Sequence, residues 1–132
     1  MRLLAAALVA SAACVDRLPA QDLRILSAAP AAKLSVDLLW KEFQDNPDAA
    51  RRAYFGRAVE ITGTATRVGD DVPTDRYVLF GQSGELGVRA NLLDEQAAAI
   101  LTRGKEQPTM TLRCFVQGMD GHLQLTSCVL PQ

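Results

Sequence analysis

The stretch Thr109-Met-Thr-Leu-Arg-Cys-Phe-Val-Gln-Gly-Met-Asp-Gly-His-Leu-Gln-Leu-Thr-Ser-Cys-Val-Leu130 decides what kind of domain this chain builds. Two runs of period-two alternation flank Gly118-Met-Asp-Gly121, so the stretch predicts a β-hairpin with its turn at those four residues. Leu112, Cys114 and Val116 share one face, while Arg113 and Phe115 share the other. Phe115, if it points outward, is either covered by the N-terminal helices or part of a binding patch. One cysteine stands in each strand, which suggests a small barrel in an oxidising compartment. A simple register sets Gln117 opposite His122 and Cys114 opposite Leu125. Cys128 then lies three residues further on and on the wrong face. A Cys114–Cys128 disulfide therefore requires a bulge in strand five near Thr126-Ser127 or bending of its end. Without either, Cys128 is a small core residue. Export favours the bridge.

The rest of the chain supplies partners for the hairpin. Ala58 to Val68 alternates, with Val59, Ile61 and Ala65 on one side and Glu60, Thr62, Thr64 and Thr66 on the other. Gly63 in mid-strand marks a bulge or a bend, as closure of a small barrel requires. The loop from Gly69 to Asp75 leads to a second strand at Tyr77-Val-Leu-Phe80. A turn at Gly81-Gln-Ser-Gly84 and a third strand from Leu86 to Ala90 follow. The period then changes: Leu93 to Leu101 is alanine-rich and helical, closed by Gly104. Pro108 precedes the fourth strand, and the fifth runs from His122 to Leu130. The predicted class is α+β: a five-stranded OB-fold β-barrel with an N-terminal helical segment and a helix between strands three and four.

That N-terminal segment has clear boundaries. Ser35 is an N-cap, and Leu34 and Leu39 form a hydrophobic staple around it. Val36, Leu39, Trp40 and Phe43 recur at helical spacing. Asn46-Pro47-Asp48 ends this helix and starts a second one, which runs to Phe55 and stops at Gly56. Trp40, Phe43, Tyr54 and Phe55 are expected to pack both helices onto the barrel.

Asn46, Ala50, Tyr54-Phe-Gly-Arg57 and Val59-Glu-Ile-Thr-Gly63 resemble the opening of the bacterial OB-fold family called tRNA_anti-like. Gly104, Val116, Gly118, Leu123, Leu125, Cys128 and Leu130 are similar to its close. The likeness runs from about Leu34 to Leu130, with Arg57 where the family usually has lysine. The resemblance implies the OB-fold and, as in many members, export. The family's name reflects a fold likeness to anticodon-binding domains and does not assign tRNA binding.

The first residues fit export on their own. Met1-Arg2 precedes the apolar run Leu3 to Ala13, which is too short to span a bilayer and reads as a signal peptide over residues 1–13. Ser11-Ala-Ala-Cys14 is similar to a lipobox, with serine where leucine is typical, and makes Cys14 a lipidation candidate. Ala10-Ser11-Ala12 also suits ordinary signal peptidase. The cysteine count of 3 favours lipidation, because pairing Cys114 with Cys128 leaves Cys14 over. Residues 14–33, with Pro19 and Pro30, read as a tether carrying a short helical piece at Asp22 to Leu26, and 34–132 as the OB domain. The expected location is the periplasm, or the outer or inner membrane as a lipoprotein.

Composition narrows the function. The chain has 132 residues, 48% apolar and 5% aromatic, and its 14 basic and 15 acidic residues leave a net charge of −1. That balance makes no electrostatic case for a polyanion. Asp70, Asp71 and Asp75 crowd the loop between strands one and two, although Arg67, Arg76 and Arg89 lie nearby. No nucleophile elbow, phosphate loop or metal-ligand spacing is present, and the one histidine, His122, borders a turn. The chain is therefore expected to be no enzyme and to need no cofactor or metal. The expectation is a non-catalytic envelope binding module for a protein, peptide or glycan, touching the membrane only through a lipid anchor. Single-stranded nucleic acid is the alternative, disfavoured by charge and by export. Candidate ligand contacts are Arg76, Tyr77 and Arg89.

Overall fold

A long strand is the spine of the molecule. The computed structural model describes residues 21–81 and 87–131; residues 1–13, Cys14, and the turn and strand start expected across 82–86 lie outside them. Strand β2 (Ala58–Gly69) is preceded by β1 (Ala32–Ser35) and followed by β3 (Tyr77–Phe80), β4 (Val88–Leu92), β5 (Thr109–Asp120) and β6 (His122–Val129). β2 pairs antiparallel with β5 over its first half and with β3 over its second. β3 pairs with β4, β4 runs parallel to β6, and β6 returns to β5. The circuit β2-β3-β4-β6-β5-β2 closes a five-stranded mixed barrel, the OB-fold topology. β1 is an addition outside that circuit, parallel to residues Val59 to Thr62 of β2.

The change of partner along β2 needs both a glycine and a bulge. A side chain at Gly63 would begin 2.7 Å from Val36 Cγ2 and 3.2 Å from Phe80 Cδ1, so the strand passes under the first helix only as glycine. The register shift itself falls between Ala65 and Arg67, one turn of the pleat beyond the expected place.

Helix α1 (Val36–Asp45) starts where Ser35 Oγ accepts from Leu38 N, at 3.0 Å. Helix α2 (Pro47–Tyr54) starts where Asn46 Oδ1 accepts from Ala49 N, at 3.2 Å. Val36, Leu39 and Phe43 plug one end of the barrel and join Ile61, Phe80, Ile100, Leu112 and Leu125 in one core. Trp40 and Tyr54 pack on it from the edge. Phe55 does not: it is the residue after α2, bridges to Val116 through its backbone, and leaves its ring 46% exposed. Gly56, at φ +75°, makes the turn that follows.

Helix α3 (Asp94–Glu106) fills the connection between β4 and β5. It runs through Gly104 rather than stopping there. A Cβ at Gly104 would fall 2.9 Å from Met110 Cε, the movable end of that side chain.

The hairpin departs from simple pairing twice. β5 continues to Asp120 and the turn is at Gly121 (φ +77°), tighter than the four residues expected. Val116 pairs with Leu125 but Gly118 with Gln124, so Gln117 is an extra residue in β5, and Gly118 takes φ +139°. Further on, Phe115 pairs with Thr126 and Arg113 with Val129, so β6 holds an extra residue as well. Ser127 sits there at φ +58°, in the left-handed region. That bulge turns Cys128 inward. The Cys114–Cys128 disulfide forms, with Cα atoms 4.2 Å apart and both residues fully buried.

From Gln21 onward the stretch expected as tether lies against the barrel. A 3₁₀ turn (Leu23–Leu26) buries Ile25 completely against Phe115, Ala58, Leu93 and Val129. Phe115 thus points outward and is covered, by this turn rather than by α1 or α2.

Candidate ligand-binding face

The outward sides of β3, β4 and β6 form one surface, because alternation along each strand sends every second residue there. Val78, Phe80, Val88, Ala90 and Leu92 point inward and are buried. Tyr77, Leu79, Arg89, Asn91 and Gln124 have the opposite parity and are partly exposed. Tyr77 pairs with Asn91, and Arg89 with Leu79 on one side and Gln124 on the other, so five side chains meet across three strands.

A single polar chain organises them. Asn91 Nδ2 donates to Leu125 O at 2.9 Å and to Gln124 Oε1 at 3.2 Å. With its amide so fixed, Asn91 Oδ1 accepts from Arg89 Nε at 2.9 Å. Arg89 Nη2 in turn donates to Asp75 Oδ1 at 2.8 Å, tying the β2–β3 loop to the sheet. The Arg89 guanidinium carbon lies 3.8 Å from the centre of the Tyr77 ring. A cation over an aromatic face at this distance contributes about 0.5–2 kcal/mol, depending on how dry the pair is.

Beneath Tyr77 is Gly69, its partner on β2. A methyl group at Gly69 would overlap three ring carbons of Tyr77, the most distant of them at 2.7 Å. Gly69, Tyr77 and Arg89 are therefore stacked in that order, and each layer needs the one below.

Of the three candidate contacts, Tyr77 and Arg89 lie together. Arg76 does not join them. It shares the parity of Val78 and Phe80, its carbonyl accepts from Leu92 N at 3.0 Å, and its Nε is buried with no hydrogen-bond partner. Asn91, Gln124 and Asp75 complete the face and were not picked out from the sequence as contacts. The two-residue spacing of Arg89 and Asn91 carried the signal for one of them.

Charge on this side is mixed: Arg67, Arg76 and Arg89 come from the same strands and loop as Asp70, Asp71 and Asp75. Asp75 is bonded to Arg89, and Asp70 lies 3.7 Å from Lys105 of α3. Arg67 is exposed beside the stack, at the position paired with Leu79. His122 starts β6 opposite Asp120 at the hairpin turn, half-buried. Among the described residues no group of three or more His, Cys, Asp or Glu is placed to hold a metal ion. What the face offers is recognition chemistry: a planar cation on a ring, two primary amides and a carboxylate, all pre-oriented.

Comparison with known proteins agrees with the topology. The family model described as tRNA_anti-like matches residues 2–129. Among solved structures, a "putative nucleic acid-binding lipoprotein" from Klebsiella pneumoniae superposes with a TM-score of 0.58 at 16% identity, covering 84% of this chain and 98% of that one. At that identity the likeness is one of fold. No curated protein matches the chain.

Proposed function

The chain belongs to the tRNA_anti-like family of OB-folds, and from that premise we propose that it is a non-catalytic, exported binding module. Its ligand would be an extended polar chain of low net charge, a peptide or a glycan strand, laid across β3, β4 and β6. The observation that carries this is the Gly69–Tyr77–Arg89 stack, held by Asp75 and Asn91. A guanidinium already bonded on two edges and supported by a ring is rigid, so little side-chain entropy remains to be lost on binding. Its charge is already met by Asp75, which favours a neutral partner over a polyanion.

Export rests on the apolar leader before Cys14 and on the lipoprotein character given in the name of the Klebsiella structure. On this reading Cys14 is the lipidated residue, and the barrel works at the surface of an envelope membrane, either inner or outer.

The test is affinity capture from an envelope extract with the wild-type chain, beside Arg89→Ala and Tyr77→Ala. A partner held by the wild type and lost with both variants supports the assignment. A partner held equally by all three removes this face from consideration.

One observation favours a second ligand. Arg67 is exposed beside the stack, and the Klebsiella structure is named for nucleic-acid binding. Single-stranded nucleic acid binding of this kind has a marked salt dependence, which separates the two.

A further inference from the structure

The two half-cystines face into the barrel, and their chain neighbours face out, onto residues 21–28. Cys114 lies between Arg113 and Phe115. Arg113, itself buried, donates from Nε to Ile25 O at 3.2 Å and from Nη2 to Leu26 O at 3.4 Å. Phe115 covers Ile25, and the Arg24 guanidinium lies 5.8 Å from its ring centre. Cys128 lies between Ser127 and Val129. Ser127 Oγ accepts from Asp22 N at 2.8 Å, and Val129 packs on Ile25. Even the last anchor belongs to this group. Gln21 accepts from Asp94 N at 2.7 Å and donates to Leu92 O at 3.2 Å, and Leu92 is the β4 residue paired with Cys128.

We propose that the Cys114–Cys128 bond is the clamp of this dock, so that its redox state decides whether residues 21–28 are seated. The physical link is the bulge. Regular pairing along β6 would turn Cys128 outward and invert its neighbours, because a slip of one residue flips every side chain to the other face. The bulge that prevents this holds Ser127, a non-glycine residue, at φ +58°, a conformation costing of order 1–2 kcal/mol. The disulfide opposes that relaxation by fixing Cys128 against Cys114. The rest of the barrel has independent support. The β2–β5 ladder pairs seven residues from Ala58 to Thr64, and α1 plugs the barrel end. Opening the bond therefore frees the arm and leaves the barrel closed.

The chemistry is a two-electron exchange with a dithiol. The reductant supplies two electrons and two protons, the S–S bond breaks, Cys114 and Cys128 become thiols, and the reductant leaves as its own disulfide. The consequence for placement rests on the reading of Cys14 as an anchor. Seven residue steps separate Cys14 from the dock at Gln21, at most about 25 Å of chain. Eighteen steps separate it from Ala32, where β1 begins, at most about 65 Å. An oxidised molecule would be held close to its anchor and a reduced one would range further.

Hydrogen exchange on the full chain tests the clamp whether or not Cys14 is lipidated. The expected result is that amides of residues 22–28 exchange about tenfold or more faster with dithiothreitol than without it, while those of Ile61 to Thr64, clear of the dock, keep their rates. Intact mass confirms the bond state. If the buried bond resists the reagent, Cys114→Ala/Cys128→Ala is measured in its place. Ile25→Ser serves as the control that unseats the arm with the bond intact. Unchanged exchange in the arm overturns the proposal. So does loss of protection throughout the barrel, or failure of the double variant to fold, because the bond would then be a global staple and not a clamp on the arm.

Discussion

Replacing Gly69 by alanine probes the stack on which the candidate face depends. The new methyl overlaps the Tyr77 ring, with the most distant of three ring carbons only 2.7 Å away. The backbone of Gly69 is ordinary strand, so strain there does not cloud the result; the methyl acts on the ring alone. Tyr77 must swing out, and Arg89 loses its support at 3.8 Å. The cation–ring contact accounts for roughly 0.5–1 kcal/mol at a partly exposed site, and its Asp75 pair, with Asp75 56% exposed, for less than about 1 kcal/mol. Crowding adds to this, and the expected cost is about 1–2 kcal/mol. With a urea m-value of about 2 kcal/mol/M for a domain of this size, the midpoint falls by roughly 0.5–1 M. The decisive comparison is a double-mutant cycle with Tyr77→Ala. Once the ring is gone the methyl has nothing to strike, and Gly69→Ala should then cost under about 0.5 kcal/mol. An equal cost in both backgrounds would refute the stack as described.

Three further outcomes are expected. Gly104→Ala should stabilise the full chain by up to about 1 kcal/mol in urea melts, since it removes a glycine from the last turn of α3 and the crowded group is the flexible end of Met110. Tyr54 is pushed up to about 12 by burial and by its hydroxyl bond to Glu42 Oε1 at 2.7 Å, so a spectrophotometric titration should show one phenol ionising near that value. Because the folded value lies above the ordinary 10, the stability it contributes is complete below pH 10 and is lost as pH rises through about 12; Tyr54→Phe should cost about 1 kcal/mol at neutral pH and flatten that alkaline loss. Ser127→Ala should cost about 1–2 kcal/mol by removing the acceptor for Asp22 N, whereas Ser127→Gly should cost less, because relief of the left-handed backbone offsets the lost bond.

Periodicity was enough to place the barrel. The alternation at Val59, Ile61, Leu112 and Val116 marks a buried face at period two, and Ser35, Asn46 and Pro47 mark helix starts by local chemistry that tertiary packing left in place. The hairpin register was only partly legible. Two bulges of opposite sense, at Gln117 and Ser127, cannot be counted from composition, yet the need to bring Cys114 and Cys128 together pointed to the second. The short helical piece is there as the 3₁₀ turn at Leu23–Leu26, but its seat on the barrel was not legible, for a different reason. Ile25 stands in a short segment without a period, and its burial depends on Phe115, Val129 and Arg113, about 90 to 100 residues away in the chain. Gly104 and Phe55 were given roles by local rules that packing overrode. Within the site, Tyr77 and Arg89 were legible because strand parity places them, whereas the Asp75 contact depends on how a loop returns, which no period encodes.

On the function proposed above, the β3–β4–β6 face takes a ligand of low net charge. Titrating the full chain with a short single-stranded oligonucleotide at about 50 and 200 mM salt tests it most directly, read by amide chemical shifts of Tyr77, Arg89 and Asn91. No binding is expected at micromolar concentrations at either salt, because Asp75 already occupies Arg89 and Asp70 and Asp71 stand in the adjoining loop. Micromolar binding at low salt that shifts these amides and weakens steeply at high salt would contradict it, and would make nucleic acid the ligand of this face.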